Sequence, residues 1–121
     1  MNSILFLVLL FTIKHFVVDY VLQRKYQYLN KGTYGHFGGL LHAQLHCIGT
    51  GLCLIGSTNF MMLALMGLLD GVIHYHVDWA KYNINKRMNW SPTTHDQYWI
   101  LLGLDQFLHT LTYILIIWLI I

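Results

Sequence analysis

Glutamate is absent from this 121-residue chain, and all five acidic side chains are aspartates. Charge of either sign is scarce: 10% of residues, against 56% hydrophobic. A soluble domain of this size carries about a quarter charged residues. Too few are present here to cover a water-facing surface, so the composition points to an integral membrane protein. The net charge of +2 comes with no basic stripe interleaved with aromatics, which argues against a nucleic-acid partner. Cysteine is nearly absent too. Cys47 and Cys53 share one apolar segment without a CxxC arrangement, which argues against a disulfide framework. The start of the chain lacks the basic residues of a signal peptide, and its helical pattern continues through Lys14, His15 and Asp19. The first apolar segment is therefore expected to be a retained transmembrane helix.

Four long apolar segments fill the chain, at about residues 3–23, 35–55, 60–82 and 95–121. Each is near the ~20 residues that cross a ~30 Å hydrocarbon core. Each is apolar around most of its circumference, unlike the helices of a soluble bundle. Residues 24–34 read as an exposed loop and residues 83–94 as a polar one. Residues 56–59 read as a short turn with Asn59 capping the next helix. Thr94 and Gln97 have capping-box spacing. Gly67 and Gly71 form a GxxxG pair suited to close helix approach. The expected fold is all-α, a single domain over residues 1–121 forming a transmembrane four-helix bundle. Arg24, Lys25, Lys31, Lys81, Lys86 and Arg87 all fall at or beside the first and third connections. The positive-inside rule puts those connections in the cytoplasm and both termini on the non-cytoplasmic side.

Eight histidines are many for so short a chain. Each segment holds two metal-capable side chains four residues apart: His15 and Asp19, His42 and His46, His74 and Asp78, Asp105 and His109. Residues at this spacing share a helix face. At ~1.5 Å per residue, the pairs lie roughly 6–21 Å from the basic ends of their helices, overlapping in one layer. Ionisable residues inside a bilayer are costly and are functional suspects by default. Bundles build metal sites from such converging side chains. The eight are expected metal ligands. Nitrogen and oxygen donors without sulfur suit a divalent transition metal, zinc favoured over iron or manganese. So many donors allow one ion with supporting groups, or two ions. Asp70 stacks one turn from His74, Gln23 one turn from Asp19, and Lys81 three residues after Asp78. Lys14 is expected to snorkel or to pair with an aspartate. His36, His76 and His95 read as interfacial or packing residues.

The ordered motifs are Lys14-His15-x-x-x-Asp19-Tyr20-x-Leu22-Gln23, His42-x-x-x-His46, His74-x-x-x-Asp78-x-x-Lys81 and Asp105-Gln106-x-x-His109. Together they resemble a family of small, uncharacterised multi-pass membrane proteins of bacteria and phages. The resemblance covers most of the chain. It implies a bacterial inner membrane location, or a host membrane for a phage-encoded member. More loosely, the set is similar to inner-membrane metal-dependent hydrolases.

The expected activity is that of an intramembrane metal-dependent hydrolase acting on a lipid or amphiphile near the cytoplasmic face. Asp70 or Asp78 would be the general base, while Lys81 and Gln23 would hold a polar head group. Two other readings remain open. One is a small oligomeric transporter or proton pathway through the His/Asp cluster. The other is a metal-stapled structural protein. The partners expected are the bilayer, an amphiphilic substrate and a second copy of the chain.

Overall fold

Apolar residues occupy nearly every face of the first helix, and the computed structural model, which describes residues 3–121, shows where those faces go. Helix α1 (Ser3–Phe16) continues without a break into one π-helical turn, Val17–Val21. A short helix α2 (Lys25–Tyr28) follows, then α3 (Phe37–Cys53), α4 (Phe60–Met88) and α5 (Asp96–Ile120). Helix α3 packs against α1 and α4, and α5 packs against α4 and α1. The four long helices thus close a ring in which neighbours run antiparallel.

The ring is apolar outside and polar within. Phe6, Ile13, Leu52, Leu68, Phe107 and Trp118 lie on the outer surface. Lys14, Asp19, His42, His46, Thr50, Asp70, His74, Asp78, Asp105 and His109 are all buried inside. Such an inversion suits lipid as the surrounding solvent. Towards the end that carries the α3–α4 turn the interior turns apolar, with Leu7, Phe11, Leu54, Met66, Ile116 and Ile117 packed together. Between α3 and α4 the expected small-residue contact is present. A Cβ on Gly67 would come within 2.7 Å of the Cys47 carbonyl oxygen, and one on Gly71 within 3.1 Å of that of Ala43.

Three stretches are long and apolar enough to cross a membrane: Ser3–Val21, Phe60–Met88 and Asp96–Ile120. Four were expected. Helix α3 has only 17 residues, about 25 Å at 1.5 Å each, because both its ends unwind early. Gly35 and Gly56 adopt positive φ of 80°, a conformation that glycine takes without strain. Extended His36 then caps α3 by accepting the Gly38 N–H on Nδ1 at 3.0 Å.

Other boundaries also moved. Helix α4 runs six residues past the expected Tyr82. It ends where Asn89 enters the left-handed region and Trp90 N–H closes on the Asn85 carbonyl, an αL termination. The polarity of residues 83–88 suits a loop, yet these side chains lie on the last turns of α4. The capping box at Thr94 does not form. Helix α5 begins after His95, and Thr94 bonds Ser91 and His95 instead. Asn59 does cap α4, accepting the Met62 N–H at 2.9 Å. Residues 24–34 are not wholly an exposed loop. They fold back as α2, burying Gln27, and Asn83 Nδ2 donates to the Gly32 carbonyl to hold the segment in place.

Candidate metal centre

The π-helical turn decides where Asp19 points. Its closing bond runs from Leu22 N–H to the Val17 carbonyl, 2.8 Å and five residues back. The wider turn lets the Asp19 carboxylate face two ways. Oδ2 stays 3.2 Å from His15 Nε2 on the same helix, while Oδ1 turns toward α3 and α4. Single π turns are rare and concentrate at functional sites.

Asp19 Oδ1 lies 2.8 Å from His46 Nε2, 3.1 Å from His42 Nε2 and 3.6 Å from His74 Nε2. His42 Nε2 and His74 Nε2 are 3.2 Å apart. One ligand atom from each of these four residues falls within 4.8 Å of all the others. Donors bound tetrahedrally at ~2.0–2.1 Å sit about 3.3 Å from one another. The separations of 2.8, 3.1, 3.2 and 3.6 Å are near that value, and all four residues are buried. His42 Nδ1–H faces Gln27 Oε1 at 3.3 Å. That contact favours the tautomer whose Nε2 lone pair turns inward, the arrangement typical of ligating histidines.

A second group adjoins the first. Asp78 Oδ2 is 3.3 Å from His74 Nε2 and 3.5 Å from His42 Nε2, and Asp78 Oδ1 is 3.4 Å from His109 Nε2. His74, Asp78 and His109 satisfy the same spacing test. His109 Nε2 also lies 3.3 Å from Asp105 Oδ1. The rings of His46, His74 and His109 stack, with centroids 3.4 Å and 3.8 Å apart. The two groups share His74 and meet at its Nε2, which has one lone pair.

Charge separates the groups. Lys31 Nζ sits 2.7 Å from Asp78 Oδ2, and Lys81 Nζ is 3.0 Å from Asp105 Oδ2 and 3.9 Å from Asp78 Oδ1. Asp78 and Asp105 thus already face ammonium groups. Among the described residues, Asp19 has no lysine or arginine within ion-pairing distance; its partners are the imidazoles of His15, His42, His46 and His74.

His15 is placed differently from the other expected ligands. Gln106 Nε2 donates to Asp105 Oδ2 at 2.9 Å, which turns Gln106 Oε1 toward His15. His15 Nε2–H donates to that oxygen at 2.8 Å, and Nδ1 accepts from Tyr113 Oη at 2.7 Å. With both ring nitrogens engaged, His15 steadies Asp19 from outside the tetrad. Asp70 likewise lies apart. Its Oδ2 accepts from Lys14 Nζ and Thr50 Oγ1, each at 2.5 Å, in a buried ion pair bordering the imidazoles. Gln23 Nε2 donates to the Asp19 carbonyl at 3.0 Å, and its buried Oε1 has no hydrogen-bond partner among the described residues. His76 lies near the outer surface, bonded to Tyr34 and the Val72 carbonyl.

The sequence does not mark Gln27, Lys31, Gln106 and Tyr113 as neighbours of the centre. Gln27 and Lys31 belong to the connection, where no periodicity signals which side chains turn inward. Gln106 was visible beside Asp105, but one helix position from an inward-facing residue normally points elsewhere.

The model of a family described as "Protein of unknown function (DUF3307)" matches residues 5–121, nearly the whole chain, and the protein belongs to that family. No curated protein and no solved structure matches it.

Proposed function

We propose that this member of the DUF3307 family is an intramembrane metalloprotein. Its residues Asp19, His42, His46 and His74 hold one divalent transition ion, zinc before iron or manganese, and it hydrolyses an amphiphile drawn from the cytoplasmic leaflet. The observation that carries this reading is the convergence of three imidazole nitrogens and one lysine-free carboxylate, 2.8–3.6 Å from one another in the contacts described above. An ion held there by four residues would supply Lewis acidity, and would activate water at neutral pH by expanding to a fifth ligand. Asp78 lies beside the tetrad and is steadied by Lys31. It is the group positioned to take a proton as general base. Lys81 neutralises Asp105 next to His109, and Gln23 offers a free acceptor beside Asp19. The basic residues at one end of the bundle support an orientation with that end in the cytoplasm.

The test starts from untagged protein purified in detergent. Elemental analysis is expected to find one transition ion per chain, and His46→Ala to abolish it. Lipid extracts incubated with the metal-loaded chain should yield a hydrolysis product that Asp78→Asn suppresses while metal content persists. Full metal occupancy with no product from any lipid class would reduce the site to a structural staple.

A further inference from the structure

Two hollows lie between α4 and α5 near their polar connection, and both are lined by Lys81. The first is a groove of about 270 Å³ whose walls include Val77, Ala80, Ile84, Leu101, Leu104 and Leu108. Ile84, Leu104 and Leu108 are exposed on the outer face, so the groove opens sideways, where acyl chains would lie. Lys81 and Asp105 also line it. The second is a basin of about 510 Å³ bounded by Lys81, Asn85, Lys86, Asn89, Trp90 and Tyr98, among others. Two ammonium groups line this basin, and among the described residues no carboxylate does. Trp90 and Tyr98 are the side chains that favour the headgroup level of a membrane. Asn85 Oδ1 is buried and has no hydrogen-bond partner among the described residues.

We infer that the α4–α5 face binds one anionic glycerophospholipid whose headgroup carries a hydroxyl, as a phosphoglycerol headgroup does, with an acyl chain in the groove and the phosphate in the basin. Each part of the lipid has a matching feature. The apolar groove takes hydrocarbon, and Lys86 takes the phosphate beside Lys81, which stays paired with Asp105. Asn85 lines the basin, and a turn of its side chain would bring the buried, unpartnered Oδ1 to a headgroup hydroxyl. Basic pockets between membrane helices recognise headgroups in this manner. A zwitterionic choline headgroup would bring a cation against two lysines and no donor for Asn85. The inference rests on the membrane reading above and deepens it. Lys81 also pairs with Asp105, beside His109 and Asp78, so the lipid would lie against the candidate centre.

Native mass spectrometry of the full detergent-solubilised chain tests this. The probes are phosphatidylglycerol, phosphatidylmethanol (anionic, without a headgroup hydroxyl) and phosphatidylcholine, all with identical acyl chains. One phosphatidylglycerol per chain is expected to be retained, in preference to phosphatidylmethanol and then phosphatidylcholine. Lys86→Glu should lower the anionic preference by about fivefold or more. Asn85→Leu should equalise phosphatidylglycerol and phosphatidylmethanol, and Leu104→Trp should reduce retention of all three. Millimolar inorganic phosphate should not displace the lipid. Equal retention of phosphatidylcholine and phosphatidylglycerol, or an unchanged preference in Lys86→Glu, would overturn the inference, as would displacement by free phosphate. Metal content measured on the same samples keeps the two ideas separable. Lipid retained without metal refutes only the metal centre, and metal bound without lipid preference refutes only the lipid site.

Discussion

Asp19→Asn is the most informative substitution, because it keeps the size of the side chain and removes one charge. Structural zinc sites are worth about 10–16 kcal/mol over four ligands. An even division gives about 2.5–4 kcal/mol per ligand, or roughly 10²–10³-fold in affinity. The geometry places Asp19 at or above that average, since its Oδ1 is the sole carboxylate oxygen of the tetrad and touches all three nitrogens. Competition with a chromophoric chelator should therefore find zinc binding weakened about 100-fold or more. Stability gives a second readout. At a zinc concentration 100 times the wild-type Kd, binding stabilises the fold by about 2.7 kcal/mol, and a 100-fold weaker variant retains about 0.4 kcal/mol. The zinc-dependent rise in melting temperature should nearly vanish, while the metal-free melting temperature should hold or rise, since a buried carboxylate without a lysine or arginine partner is removed. Exposed Asp96→Asn is the control and should keep full affinity. Zinc bound by Asp19→Asn within threefold of wild type would refute the tetrad.

Three further outcomes follow from the same contacts. Lys31→Met removes the ammonium partner of Asp78 Oδ2 and should leave zinc stoichiometry at one in elemental analysis, because both groups draw on the single lone pair of His74 Nε2; a count of two would show that the groups bind independently. Gln27→Leu removes the acceptor facing His42 Nδ1 and should weaken zinc about 10–100-fold by chelator competition, with unchanged affinity excluding that role. Asp70→Leu strands the buried Lys14 ammonium and should cost about 3–5 kcal/mol in denaturant unfolding, much of it recovered when Lys14→Met is added; equal losses in the single and double variants would contradict the pairing.

The contacts also show which features the sequence exposes and which it hides. The all-α character, the Asn59 cap and the Gly67/Gly71 approach depend on local spacing, so they were readable from residues close together in the chain. The same holds for the inward face shared by His42 and His46, or by His74 and Asp78. The π turn at Val17–Val21 was not readable, because Val-Val-Asp-Tyr-Val fits an α-helix equally well. Its form answers to the partners that Asp19 meets on α3 and α4. For the same reason the inward turn of Gln27 and Lys31 was hidden, since their targets, His42 and Asp78, lie 15 and 47 positions further along. The length of α4 is hidden by polarity, which suits a loop, although nothing between Asn83 and Met88 prevents a helix.

Charge explains why the tetrad gathers around Asp19 rather than Asp78. Four carboxylates lie inside the ring: Asp19, Asp70, Asp78 and Asp105. Three lysines meet three of them, Lys14 with Asp70, Lys31 with Asp78 and Lys81 with Asp105. Asp19 is left with imidazoles, and a buried anion without a counter-charge is costly. A single proton on one imidazole would balance it. A proton, however, joins one donor to one acceptor. It gives no reason for His42, His46 and His74 to bring three nitrogens to the same oxygen, two of them 3.2 Å from each other. A small cation needs all four groups at once and at these separations. A bound cation would account for both the charge and the convergence, whereas a proton accounts for the charge alone.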